Sequence, residues 1–295
     1  MAARFGSVIT AMATPFTQEL ALDLDRAQEL ATWLFDHGSD ALVIAGSTGE
    51  ASTLSDAEKR DLWRATVEAA SGRGPVIAGT GTYDTAHSIE LTRAAEEAGV
   101  DAVLVVTPYY NRPPQRGLIA HFTAVAGATA LPVIVYNIPS RTACLVEADT
   151  LLRLARDVPN IVAVKDATAD FATATRILAE APDGFELYSG DDWATFSFCC
   201  LGGVGVISVA SHLAGDEIGR MVRLVGEGDV AGARVIHERL MPLFKGLFVA
   251  SNPIPLKAAM EMAGWPVGPP RLPLVPATED ERARIRQAMA DAGIR

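Results

Sequence analysis

The run Ile161-Val162-Ala163-Val164-Lys165-Asp166-Ala167-Thr168 sets four apolar residues before a lysine. The chain uses cations unevenly: of its 25 basic residues, Lys59, Lys165, Lys245 and Lys257 are lysines, which leaves 21 arginines. Lys165 follows the most apolar approach of the four and is expected to be the least solvated. Continuous rather than alternating apolarity marks a parallel strand covered on both faces.

Seven more runs share this form: VITAMATP (8–15), ALVIAGSTG (41–49), PVIAGTG (75–81), AVLVVTPYY (102–110), PVIVYNIP (132–139), FELYSGDD (185–192) and GVGVISVAS (203–211). Helical segments separate them. Ala27, Leu30, Ala31 and Leu34 recur at i, i+3, i+4, i+7, and Ser55-Asp56-Ala57-Glu58 reads as a capping box opening the next helix. Eight strand and helix alternations predict an α/β fold, a (β/α)8 TIM barrel, over 1–227, whereas a doubly wound sheet usually has fewer strands. Residues 228–295 read as additional C-terminal helices packed on the barrel.

At 295 residues the chain can bury a sizeable core. A net charge of −11 works against nucleic acid and anionic membranes as partners and leaves small molecules as the expected ones. No long apolar run marks a signal peptide or a membrane span, so a soluble, cytoplasmic protein is expected. Cys144, Cys199 and Cys200 lack the spacing of a zinc or redox site and are expected to be buried small hydrophobes. The five histidines show no close ligand spacing, so no metal site is expected.

A barrel collects functional residues at the C-terminal ends of its strands. Here those ends carry Ser47, Thr48, Tyr109, Tyr110, Tyr136, Lys165 and the run Ser189-Gly190-Asp191-Asp192. Burial can lower a lysine's pKa until a neutral amine is available, which arginine cannot supply. Such an amine attacks a ketone to form an imine, whose neighbouring carbon then loses a proton to give an enamine nucleophile. The structural alternative, an ion pair with Asp166, is disfavoured because adjacent strand residues face opposite ways. Tyr110 and Tyr136 suit proton transfer with Ser47 as relay, or ordinary aromatic packing at the rim. Ser47-Thr48-Gly49 suits a small carboxylate, or a plain strand-end turn. GTGTYD and GGVGV do not complete a dinucleotide fingerprint.

The motifs GSTGE (46–50), TPYYNRPPQRGL (107–118), YNIPSRT (136–142), VKDAT (164–168), YSGDD (188–192) and NPIPLK (252–257) together resemble the pyruvate-dependent class I aldolases, and within them the dihydrodipicolinate synthase family, over essentially the whole chain. The resemblance implies a lyase without cofactor that joins pyruvate to aspartate semialdehyde on the route to diaminopimelate and lysine. It implies an imine at Lys165, proton transfer by Tyr136, Ser47 and Tyr110, with Tyr110 reaching a neighbouring subunit's site, and pyruvate carboxylate binding at Thr48. Arg141 would hold the second substrate's carboxylate, Gly190 and Ile207 would complete the substrate site, and the assembly would be a homotetramer of tight dimers. GSTGE is also the spelling of the N-acetylneuraminate lyases, which leaves another Schiff-base pyruvate lyase, of N-acetylneuraminate or a 2-keto-3-deoxy sugar acid, as the alternative; Arg141 and NPIPLK point back to the synthases. A barrel that binds a keto acid without turnover is a third reading, against which the nucleophilic Lys165 argues. Ala169 stands where the family often has Gly. Positions matching the lysine feedback pocket of sensitive relatives are Ala51, Ser52, Asp56, Lys59, Tyr83, His87 and Tyr109. Positive character from Lys59 and His87 makes lysine inhibition expected to be weak or absent.

Overall fold

Each apolar run folds as a strand in the computed structural model, which describes residues 3–294. The strands are β1 (Val8–Ala11), β2 (Ala41–Ile44), β3 (Val76–Gly79), β4 (Ala102–Val106), β5 (Val133–Asn137), β6 (Ile161–Asp166), β7 (Glu186–Ser189) and β8 (Gly205–Ser208). Neighbours in sequence pair in parallel, and β8 pairs with β1, so the sheet closes into an eight-stranded barrel. The TIM-barrel expectation holds.

The two faces of the strands serve two cores. Val8, Leu42, Val103, Val135, Val164 and Val206 point outward and pack under the helices. Ile9, Val43, Ile77, Leu104, Ile134 and Ile207 fill the barrel interior. Both faces are dry, which is why the strands read as unbroken apolar runs.

The register of β5 on β6 contains an irregularity that decides where the lysine points. Val133 pairs with Ile161 but Ile134 pairs with Ala163, so Val162 is an extra residue on β6. Side chains alternate along a strand, and one inserted residue exchanges the faces of everything beyond it. Ile161 packs outward, yet Ala163 packs inside the barrel. Lys165, two residues on, therefore shares the interior face. Without the bulge it would face the helices.

The helices supply the outer layer. Helix Leu24–Asp36 buries Ala27, Leu30, Ala31 and Leu34 as its spacing predicts, each fully buried leucine contributing about 2 kcal/mol. Helix Asp56–Ala69 opens with the capping box of Ser55 and Glu58. After β8 come helices Ser211–Gly226, Val230–Gly246, Ile254–Met262 and Glu279–Asp291. Their Leu240, Phe244, Leu256, Met260 and Ile285 join the outer core. Among the described residues, no helix is long and apolar enough to cross a membrane.

Two expectations need correction. Lys165 is not alone in being dry, since Lys59, Lys165 and Lys257 are all buried and Lys257, at 4 % exposure, is marginally the drier. Burial of Lys257 depends on a carboxylate distant in sequence, described below. Cys144 and Cys199 are buried as expected, but Cys200 is exposed, because helix Thr195–Leu201 turns it about 100° from its neighbour toward solvent.

Candidate active site

Lys165 lies directly opposite Tyr136 on β5 and Tyr188 on β7. It is 5 % exposed, and its Nζ stands 4.2 Å from the centroid of the Tyr136 ring. Lys59 and Lys257 have carboxylate partners, Asp56 at 3.5 Å and Glu50 at 2.6 Å. Lys165 makes no such ion pair among the described residues, which is what sets it apart. Desolvation lowers its pKa to about 8; the charges of Asp191 and Asp192 oppose the fall, and Arg141 adds to it. Asp166 faces away, as strand alternation requires, and its carboxylate accepts hydrogen bonds from the backbone and hydroxyl of Thr168.

One cavity at the C-terminal mouth gathers Lys165, Tyr136, Ser47, Thr48, Arg141 and Gly190. Asp191, Val209 and Asn252 share its wall. Burial pushes the Tyr136 phenol well above its ordinary value, so it enters any reaction as a proton donor. Thr48 is buried and its Oγ1 accepts a hydrogen bond from Asn252 Nδ2 at 2.9 Å. A hydroxyl that accepts in this way keeps its own hydrogen free to donate. Arg141 sits on the short helix Pro139–Thr142 at the end of β5, exposed and without an acidic partner among the described residues. At Gly190 a Cβ would come within 2.7 Å of the Ala167 Cβ, and Gly190 N donates to Asp166 O at 2.6 Å. That close approach of the ends of β6 and β7 brings Asp191 beside Lys165. Burial raises the Asp191 carboxyl to about 6, with the Asp192 charge adding to the rise. Asp192 is buried and accepts from Ser208 Oγ and the backbone of Val209 and Ala210.

Three expected residues stand differently. Ser47 and Tyr136 line the same cavity but share no hydrogen bond. Tyr110 is 92 % exposed with φ +70, on the outside of this chain and away from Lys165. Ile207 is fully buried inside the barrel, one layer below the cavity that Val209 lines. Asn252 was not assigned a role from sequence, although NPIPLK, which it opens, is one of the carrier motifs.

A second, larger cavity shares Ser47, Tyr136 and Arg141 and extends past Ala51, Lys59 and Tyr109. The positive character expected there is not realised in full. Asp56 faces both side chains, with His87 Nε2 at 2.9 Å and Lys59 Nζ at 3.5 Å; burial works to raise its carboxyl, and these two partners outweigh burial and leave it below its ordinary value. Asp56 thus offsets part of the positive character on which weak lysine inhibition is expected. The other histidines pack: His212, wholly buried, links Ala13 N to Val209 O, and His37 stacks on Trp33.

A family model described as the dihydrodipicolinate synthetase family matches residues 4–292. A 4-hydroxy-tetrahydrodipicolinate synthase of Moorella thermoacetica is 53 % identical over 291 residues, 99 % of each chain. That of Bacillus subtilis is 49 % identical, covering 97 % of this chain and 99 % of its own. Among solved structures, the synthase of Cyanidioschyzon merolae with lysine bound superposes with a TM-score of 0.97 at 46 % identity, over 99 % of both chains.

Proposed function

This chain belongs to the dihydrodipicolinate synthetase family, and we propose that it is a lyase condensing pyruvate with L-aspartate 4-semialdehyde to 4-hydroxy-tetrahydrodipicolinate, which feeds diaminopimelate and lysine synthesis. The observation that carries the reading is a buried amine at the barrel mouth that has a phenol against it and no carboxylate in ion-pair contact among the described residues, so that desolvation outweighs the charges of Asp191 and Asp192.

Pyruvate enters with its carboxylate toward the free hydrogen of the Thr48 hydroxyl. The neutral Lys165 amine attacks the keto carbon, and the carbonyl oxygen takes one proton from the amine and one from Tyr136 and leaves as water. The protonated imine withdraws electrons, the methyl group gives a proton to the Tyr136 phenolate, and the enamine carbon bonds to the aldehyde carbon of the second substrate, whose oxygen takes that proton back. Arg141 suits the second carboxylate, because its planar fork binds both oxygens. The amino group of the second substrate then attacks the imine carbon, closing the ring and releasing Lys165.

A phenol with a raised pKa needs somewhere to send and recover protons. In this reading Ser47, next along the cavity, takes up the proton, and Tyr110, exposed on this chain, completes the relay in a second copy of a homotetramer of tight dimers acting in the cytoplasm. A coupled assay of pyruvate with aspartate semialdehyde, run beside cleavage of N-acetylneuraminate, tests the reading. Condensation turnover is expected; cleavage without condensation would replace it with the sialic acid lyase reading that the Ser47 spelling suggests.

A further inference from the structure

We propose that the buried Glu50–Lys257 pair and Asn252 form a clamp through which the C-terminal segment sets the conformation of loop 46–50, making Glu50, Lys257 and Asn252 positioning residues for Thr48. The inference rests on the pyruvate reading above, since it concerns how the pyruvate carboxylate is met.

Lys257 Nζ lies 2.6 Å from Glu50 Oε1, and the two side chains are 3 % and 1 % exposed. The other Glu50 oxygen accepts from Arg271 N at 2.9 Å, and Lys257 also donates to Pro269 O at 3.2 Å. Both cations sit over the Phe16 ring, at 4.3 and 4.2 Å from its centroid. Arg271 is itself held by Glu58 at 2.6 Å. Replacing such a buried pair by apolar residues is often neutral for stability, so what this ion pair contributes is the conformation it imposes rather than net stability.

The loop needs that direction. Ala45 and Glu50, which bracket it, have φ of +55 and +54, a conformation that costs a side-chain-bearing residue and persists only where the surroundings enforce it. From the β1 side Thr14 Oγ1 donates to Gly49 O at 2.6 Å. From the C-terminal side Lys257 fixes Glu50, and Asn252, five residues earlier on the same segment, fixes the Thr48 hydroxyl. Thr48, which lines the cavity, is thus held from both ends with its hydroxyl hydrogen left free to donate.

The test uses the full-length protein, reading half-saturation with pyruvate alone by borohydride trapping at Lys165, with thermal melts alongside and kcat measured separately with aspartate semialdehyde at saturating pyruvate. Lys257→Met is expected to raise half-saturating pyruvate by about tenfold while kcat falls by less than about threefold, because an interaction lost equally from ground and transition states appears in KM. Lys257→Arg, which keeps the charge, should recover most of the affinity. Asn252→Ala removes one hydrogen bond without stranding a charge, and it decides the matter should Lys257→Met not fold. Combined with Thr48→Val it should add no loss beyond Thr48→Val alone, as expected of residues acting through one hydroxyl. Half-saturation within about twofold of wild type in Asn252→Ala, or full additivity of the two substitutions, overturns the clamp. Failure of the wild type to trap pyruvate overturns instead the reading beneath it.

Discussion

Imine formation by Lys165 should have an acid limb near pH 8, and the charges around it should move that limb in opposite directions. With a pKa of about 8 the amine is about 10 % neutral at pH 7, against about 0.03 % for an ordinary lysine, roughly 300 times more nucleophile. The rate with pyruvate alone should rise about tenfold per pH unit below 8 and level off above it. Asp191 carries its charge through this range, because its own pKa is about 6, and that charge favours the ammonium form. Asp191→Asn should therefore move the limb to lower pH, and Arg141→Ala, which removes a repelling cation, should move it higher. Rapid mixing with pyruvate, quenching in borohydride and intact-mass measurement between pH 6 and pH 10 report the limb without the second substrate. A limb above about pH 9.5 in the wild type would refute desolvation as the source of the nucleophile, since Lys165 would then titrate nearly like a free side chain. A shift of the Asp191→Asn limb to higher pH would refute the assignment of charges.

The same burial makes Lys165 a burden on the fold: its folded pKa is depressed, so wild-type stability should rise as pH climbs from about 8 toward 10.5, and Lys165→Met should exceed wild type at pH 7 by up to about 3 kcal/mol in urea unfolding. Ala169 has φ +53, which explains why glycine suits that position; Ala169→Gly should add about 0.5–1 kcal/mol and raise the thermal midpoint by about 2 °C. Arg141→Ala should lower kcat/KM for aspartate semialdehyde by about 100-fold while pyruvate still traps on Lys165, a split that steady-state kinetics beside trapping will show.

The strands were legible because both of their faces are dry, which writes an unbroken apolar run with no need of long-range information. The helix Leu24–Asp36 and the capping box at Ser55 were legible for the same reason, since each is set by neighbours within one or two turns. Lys165 stood out by its departure from an arginine-rich chain, but its aim into the barrel depends on the bulge at Val162, and no local pattern in IVAVKDAT distinguishes a bulged strand from a regular one. Lys257 was illegible as a buried cation because its partner Glu50 lies about 200 residues away and the two meet only when the barrel closes. Asn252 hid within NPIPLK, a motif whose residue types say nothing of the hydroxyl they approach. Tyr110 follows β4 as its run predicts, but it is 92 % exposed and outside the cavity of Lys165, and a role supplied across a subunit boundary leaves no mark in one chain's pattern.

The claim at the centre of this account is that Lys165 is a nucleophile toward pyruvate. Incubation of the wild-type protein with pyruvate and borohydride at pH 8, followed by peptide mass mapping, tests it directly. One reduced pyruvate adduct per chain on Lys165 is the predicted result, absent from Lys165→Met and from samples lacking pyruvate. An unmodified Lys165, or an adduct placed instead on Lys59, Lys245 or Lys257, would contradict it.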